Sequence, residues 1–150
     1  MSDADRYWLR VAVEEARHCP PSTGAFSVGA VVVAADGTEL ARGYSREVDE
    51  HVHAEESALA KLGGSAPGAT VYSSLEPCSR RRSRPRTCTQ LIVASGAARV
   101  VFAWREPALF VDCHGAEELA AAGLTVVELP ELAPLVREVN AHLPGLDSTG

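Results

Sequence analysis

The sequence has no apolar run close to the roughly 20 residues that a membrane-spanning helix requires. It begins with the acidic segment Met1-Ser2-Asp3-Ala4-Asp5, and no apolar signal-peptide region follows it. We therefore expect a cytoplasmic protein with no membrane partner. Cysteine is also scarce, which excludes a disulfide-dense secreted fold and leaves thiols for metal binding or for the core; the four are Cys19, Cys78, Cys88 and Cys113.

Glycine and proline, at 12 and 9 residues, are too few for a collagen-like or a disordered chain. Hydrophobic residues make up 46% and charged residues 23% of the 150 positions, which is the balance of a globular protein. This length suits a single domain, so we expect residues 1–150 to fold as one unit.

Positive charge is scarce outside one segment. The chain has 14 Lys and Arg against 20 Asp and Glu, and five of the arginines lie within residues 80–86. An acidic body with one basic loop argues against nucleic acid as a partner. Two interpretations of this loop stay open. Arg80 and Arg82 bind a substrate phosphate, or the loop is a solvated surface segment in an arginine-rich chain.

Periodicity and turn residues predict alternating helices and strands. We predict strands at 28–34, 39–44, 70–73, 100–104 and 124–127, and helices at about 3–18, 53–62, 87–95 and 115–122. A last helix is indicated by the apolar spacing of Leu132, Leu135, Val136, Val139 and Leu143. Asp36-Gly37 predicts a hairpin, and helices that join later strands predict parallel neighbours. The predicted fold class is α/β: a three-layer α/β/α domain with a mixed sheet.

Three residues have the types and positions of metal ligands. His53 lies at a predicted helix start, Cys78 follows a strand, and Cys88 opens the next helix. One imidazole and two thiolates can occupy three corners of a tetrahedral zinc site and leave the fourth for water. The positive end of a helix favours the thiolate form of cysteine, which zinc requires.

Glu55 is the candidate for proton transfer. It lies two residues after His53, so it projects on a different side of the helix and can face the water instead of the metal. A carboxylate in that position can collect the proton that a zinc-activated water releases near neutral pH. We therefore predict that Glu55 is a proton shuttle.

The order of His53-Ala54-Glu55, Pro77-Cys78 and Cys88 on an α/β/α pattern resembles the zinc-dependent deaminases of the cytidine deaminase superfamily. The resemblance extends over about residues 25–127. It implies that fold with a five-stranded sheet, and hydrolytic loss of ammonia from an amino-pyrimidine or amino-purine ring.

The same resemblance implies roles for individual residues. His53, Cys78 and Cys88 would bind Zn²⁺, and Glu55 would be the catalytic residue that moves protons to the ring and to the departing amine. Ala54, which stands between the first ligand and this carboxylate, is predicted to contact the substrate. Homo-oligomers are common in the superfamily, so a dimer or a larger assembly is expected.

The spacing of the two cysteines differs from the common pattern and points to one group within the superfamily. Nine residues, 79–87, separate the two cysteines, where most of the superfamily has two. Such a long loop is similar to the pyrimidine deaminases of riboflavin biosynthesis, which act on a diaminopyrimidine carrying a phosphorylated sugar. Segments 25–30, 43–47 and 75–79 look more like the fungal members. Bacterial members have an Asn-Pro pair near Ala25 and Phe26 and a His at the position of Ser45, both at predicted substrate-contact positions, and this sequence has neither.

We expect the chain to hold the deaminase domain alone, without the reductase domain that bacterial members often carry. Other substrates stay open: a free base, a nucleoside, deoxycytidylate or a pterin-like ring. Phe26 and Trp104 could stack on the substrate ring or belong to the core. A structural zinc in a nucleic-acid-binding module is a further alternative, and it would need a fourth ligand such as His51 or Cys113.

Overall fold

The structure is a computed structural model, and it describes residues 2–20, 22, 24–79, 85–105 and 114–143. The helices are α1 (Asp3–Glu15), α2 (Ala54–Ala60), α3 (Cys88–Ser95), α4 (Gly115–Ala121) and α5 (Ala133–Val139). The strands are β1 (Gly29–Val33), β2 (Glu39–Tyr44), β3 (Thr70–Leu75), β4 (Arg99–Trp104) and β5 (Thr125–Glu128). None of the helices described has the length and apolar character needed to cross a membrane.

The five strands form one mixed sheet in the order β2-β1-β3-β4-β5. The β1 strand pairs antiparallel with β2 and with β3, whereas β3, β4 and β5 run parallel. Parallel neighbours need crossover connections, and α3 and α4 supply them. The predicted mixed sheet is therefore confirmed.

Helices cover both faces of this sheet and give two apolar clusters. The cluster on the face of α1 and α5 is built around Leu9, Val13, Val31, Val101 and Val136. The other is built around Val32, Ala58, Val71, Ile92 and Leu119, from α2, α3, α4 and the sheet. Every residue of β1 is buried, as expected for a strand covered on both faces. The three-layer α/β/α fold is confirmed.

The β2 strand and α2 approach so closely that only glycine fits at position 43. A Cβ atom placed on Gly43 would lie 2.5 Å from the carbonyl oxygen of Ala54 and 2.6 Å from the amide nitrogen of Ala58. Real Cβ atoms do not approach backbone atoms this closely. This contact fixes the first turn of α2, which carries Glu55, against the sheet.

Some predicted boundaries were wrong by a few residues. The β3 strand continues beyond Ser73 to Leu75, because Leu75 still pairs with Trp104 of β4. The first helix is α-helical only to Glu15 and ends in a 3₁₀ turn, Ala16–His18. The last helix is limited to Ala133–Val139 and follows a separate 3₁₀ turn that begins at a proline.

Candidate metal centre and active site

The three predicted metal ligands meet at one point. His53 Nδ1 lies 3.5 Å from Cys78 Sγ and 3.3 Å from Cys88 Sγ. The ligand atoms of the three residues all lie within 4.8 Å of one another. One ring nitrogen and two sulfur atoms at this spacing can coordinate a single ion, and this donor set is one that zinc accepts.

Helix starts position two of the three side chains. His53 immediately precedes α2, and its amide donates to Glu56 Oε1 at 3.2 Å, which satisfies a backbone group at the helix start. Cys88 is the first residue of α3, and the preceding Thr87 caps that helix by accepting from the Gln90 amide at 3.2 Å. The sequence therefore places both ligands through ordinary helix capping.

Cys78 lies between the end of β3 and α3, and α3 stabilises its thiolate. The Cys88 amide donates to Cys78 Sγ at 3.2 Å. A hydrogen bond with the Cys88 side chain has the largest effect on the pKa of Cys78; burial opposes it, and the hydrogen bond and charge of His53 reinforce it. The pKa of Cys78 is held well below that of an ordinary thiol. This protonation state suits a metal ligand.

Glu55 is buried, with 3% of its surface exposed. Burial, reinforced by the charge of Cys78, raises the pKa of Glu55 to about 7, while the charge of His53 and hydrogen bonding with the Glu55 backbone and with Ser73 act in the opposite direction. Glu55 lies in the first turn of α2, which begins immediately after the predicted ligand His53, and its charge interacts with those of Cys78 and His53. A carboxyl group with a pKa near neutrality can both accept and donate a proton at the working pH.

The described residues supply three ligands to this cluster, not four. His51, one of the two spare ligands considered from sequence, has its imidazole 3.3 Å from a Glu50 oxygen and is about half exposed. Cys113, the other, lies outside the described residues. Cys19 is half-buried, and its sulfur donates to the Val28 carbonyl at 3.5 Å.

Three of the five predicted substrate-contacting residues lie close together in the structure. Phe26 and Ala54 are buried in the same apolar cluster, and Trp104 packs against that cluster. The rings of Phe26 and Trp104 meet edge to face at 6.0 Å. Both aromatic residues thus have core contacts, and contact with a substrate stays a prediction for all three. Arg80 and Arg82 lie outside the described residues.

Ser45 is engaged within the protein. Its hydroxyl accepts from the Val28 amide at 3.1 Å and lies 3.4 Å from the Val28 carbonyl oxygen. It therefore joins the start of β1 to the loop that follows β2. The Ser45 side chain is buried.

The model of the family described as "Cytidine and deoxycytidylate deaminase zinc-binding region" matches residues 2–104. The chain belongs to this deaminase family. Its matched region contains all three residues of the metal cluster and Glu55.

Relatives within the family include riboflavin-biosynthesis proteins, which confirms the resemblance of this chain to that group. It is 43% identical over 129 residues to the diaminohydroxyphosphoribosylamino-pyrimidine deaminase of Schizosaccharomyces pombe, covering 83% of this chain and 31% of that protein. The structure of Acinetobacter baumannii RibD superposes with a TM-score of 0.80 at 31% identity, covering 92% of this chain and 38% of that one.

A third match concerns the fold alone. Aspergillus oryzae Rib2 deaminase, solved in complex with DARIPP, superposes with a TM-score of 0.84 at 24% identity, covering 97% of this chain and 95% of that one. The curated relatives are longer proteins. The chain spans about a third of the length of the first of them.

Two residues that flank the Pro77-Cys78 pair, Glu76 and Ser79, were not among the predicted site residues. Glu76 is buried at the end of β3, with 2% of its surface exposed, and Ser79 follows Cys78. A carboxylate attached to a fully buried strand must find partners inside the protein, because burying an unpaired charge is costly.

Proposed function

We propose that this chain is a zinc-dependent hydrolytic deaminase that removes an exocyclic amino group, as ammonia, from a pyrimidine nucleotide. The proposed substrate is of the riboflavin-pathway type, a diaminopyrimidine that carries a phosphorylated sugar. The observation that carries the proposal is the meeting of His53, Cys78 and Cys88 within 4.8 Å, at the start of the helix that carries the buried carboxyl group of Glu55. The 43% identity to a fungal protein named for this substrate class supports it.

His53, Cys78 and Cys88 would hold the zinc ion. Two thiolates balance the charge of Zn²⁺, and three protein ligands leave one position of a tetrahedral site for a water molecule. When bound, zinc would supply a water molecule acidic enough to act as a nucleophile at neutral pH. The low pKa of Cys78 supports this assignment, since a metal-ligating cysteine must be deprotonated.

Glu55 would move the protons. Its carboxylate accepts the proton that the attacking water releases and delivers it to a ring nitrogen of the pyrimidine. The same carboxylate then takes the proton of the hydroxyl group that has been added to the ring and passes it to the amine, which leaves as ammonia. Burial raises the pKa of Glu55 above that of an ordinary carboxyl group, which supports a role as proton donor as well as proton acceptor.

Substrate contacts are proposed on two sides of this centre. Phe26, Ala54 and Trp104 would contact the ring, and Arg80 and Arg82 would bind the phosphate. Guanidinium groups recognise phosphate through paired hydrogen bonds, which suits a phosphorylated substrate. We further propose that the protein works in the cytoplasm as a homo-oligomer.

A substrate screen on zinc-loaded protein tests the proposal. Ammonia release is measured with the phosphorylated diaminopyrimidine, its dephosphorylated counterpart, a free base, a nucleoside, deoxycytidylate and a pterin. We expect the highest kcat/KM with the phosphorylated diaminopyrimidine. A higher value for deoxycytidylate would change the substrate, and no ammonia from any compound would reject the enzyme.

A further inference from the structure

The segment that contains Cys78 is tied to the start of α4 at two points. The Ala116 amide donates to Glu76 Oε2 at 3.0 Å, and the His114 amide donates to Ser79 Oγ at 2.7 Å. Glu76 and Ser79 flank the Pro77-Cys78 pair on either side. Two backbone amides at the start of α4 thus bind the two ends of one four-residue segment, 76–79, which we call the cysteine segment.

Between these two hydrogen bonds, α4 touches the backbone of the cysteine segment directly. A Cβ atom on Gly115 would lie 1.9 Å from the Pro77 carbonyl oxygen and 3.0 Å from the Pro77 carbonyl carbon. Any side chain at position 115 would therefore force the helix and the segment apart. The close contact sets the position of the peptide that leads into Cys78.

The other side of the cysteine segment is fixed by α3. The Cys78 carbonyl accepts from the Thr89 amide at 3.1 Å, and the Cys78 sulfur accepts from the Cys88 amide. Cys78 is thus held between the first residues of two helices. One helix contacts Cys78 itself, and the other contacts its neighbours in the segment.

Glu76 is the buried member of the contact with α4. Its amide donates to the Trp104 carbonyl at 2.9 Å, and one of its carboxylate oxygens lies 3.5 Å from the Arg105 guanidinium. The carboxylate is therefore compensated by a cation and by the Ala116 amide. These three contacts join the ends of β3 and β4 to α4.

We propose that Glu76 is a positioning residue for the metal ligand Cys78. By accepting the Ala116 N–H, Glu76 holds α4 against Pro77 and keeps the Cys78 sulfur where it meets the other two ligand atoms. The proposal rests on the proposed function, since it takes Cys78 as a zinc ligand. A group outside the set of metal ligands that holds one of them in position commonly contributes about 10- to 100-fold to metal affinity.

A different role for Glu76 would be membership of the ion-pair group around Arg105. That guanidinium also lies 2.9 Å from Glu117 and 3.3 Å from Glu128. Glu117 shares the Arg105 partner with Glu76, but its side chain is more than half exposed. The variant Glu117→Gln is therefore a matched control that weakens the ion-pair group and leaves the Glu76–Ala116 hydrogen bond in place.

The experiment compares zinc affinity in the full chain, by competition with a chelator, for wild type, Glu76→Ala, Glu76→Gln and Glu117→Gln. We expect about 10- to 100-fold weaker binding for Glu76→Ala. Glu76→Gln should restore affinity to within about threefold of wild type, because its amide oxygen still accepts the Ala116 N–H. Glu117→Gln should bind zinc as wild type does.

Cobalt substitution adds a readout that a loss of stability alone would not change. The thiolate-to-cobalt absorption bands should shift in Glu76→Ala and be restored in Glu76→Gln.

If Glu76→Ala does not fold, Ser79→Ala removes the acceptor at the other end of the cysteine segment, and we expect its zinc affinity to fall as well.

The possible failures are distinguishable. A folded Glu76→Ala with wild-type zinc affinity and an unchanged cobalt spectrum would overturn the positioning role and leave the proposed function intact. Equal weakening in Glu117→Gln would assign the effect to the Arg105 group and also overturn it. A wild-type chain that binds no zinc would instead overturn the proposed function.

Discussion

The backbone amide of Cys88 donates a hydrogen bond to the sulfur of Cys78 over 3.2 Å. The two cysteines are separated by nine residues in sequence, yet the start of α3 brings them together. The amide favours the thiolate form of Cys78 before any metal arrives, because a hydrogen bond to the charged form of a group stabilises that form. Residues 79–87, which connect the two cysteines, therefore do not keep their sulfur atoms from meeting at one site.

Replacing either cysteine of this pair is expected to remove the metal. Cys78→Ala and Cys88→Ala each leave two of the three ligand atoms, so zinc content should fall from about one ion per chain to a small fraction of that. Metal analysis of freshly purified protein measures this. Cys19→Ala is the matched control, because Cys19 is a free cysteine outside the cluster; equal loss of zinc in this variant would contradict the ligand assignment.

Replacing Glu55 should separate metal binding from turnover. Glu55→Gln keeps the size of the side chain and removes its ability to take up a proton, so kcat for ammonia release should fall by about 10²- to 10⁴-fold. Zinc content should be unchanged, since Glu55 is not among the clustered ligands. Glu50 is exposed and serves as the control, so Glu50→Gln should keep the wild-type kcat. If Glu55→Gln retains turnover, the proton-shuttle role of Glu55 is rejected.

The arginine loop can be tested through the substrate phosphate. Charge reversal at Arg80 and Arg82 should raise KM for a phosphorylated substrate and leave KM for its dephosphorylated counterpart unchanged, because the lost contact is with the phosphate. Steady-state kinetics with both compounds measure the difference. An unchanged KM for the phosphorylated compound would identify the loop as a solvated surface.

The buried Asp5 is expected to make stability depend on pH. Burial raises the pKa of Asp5, but hydrogen bonds from Arg99 and Tyr72 and the charge of Arg99 outweigh it, and the pKa falls to about 2. The folded state thus holds this proton less tightly than the unfolded state. Asp5 should contribute about 2 kcal/mol above pH 4, and this contribution should be lost as the pH falls toward 2.

Denaturant unfolding of Asp5→Asn at several pH values measures this contribution. The variant should lose about 2 kcal/mol of unfolding free energy at neutral pH, and less as the solution is acidified. Asp3→Asn is the control from the same helical turn, because the Asp3 side chain is fully exposed. The interpretation fails if Asp5→Asn loses the same amount of stability at pH 3 as at pH 7.

Local features of the sequence were enough to predict most of the fold. The apolar run of β1 and the glycine after α3 are properties of neighbouring residues, and the structure has the strand and the helix end where they indicate. The three-layer class followed from the alternation of such elements. The order of His53, Cys78 and Cys88 likewise depends on helix starts and strand ends that short patterns reveal.

Contacts between distant residues were not predictable in this way. Asp5 is joined to Tyr72 at 2.7 Å and to Arg99 at 2.9 Å, over separations of 67 and 94 residues. Glu76 meets the Ala116 amide 40 residues later. No local pattern pairs such residues, because the pairing is set by how the helices pack on the sheet. The end of β3 was misplaced for a similar reason, since its last residue is defined by pairing with Trp104.

We propose that one imidazole and two thiolates bind a zinc ion and leave a fourth coordination position for water. X-ray absorption spectroscopy at the zinc edge of the purified protein tests it most directly. We predict two sulfur neighbours at about 2.3 Å and two nitrogen or oxygen neighbours at about 2.0–2.1 Å. Four sulfur neighbours, an absence of sulfur, or protein that contains no zinc would contradict the account.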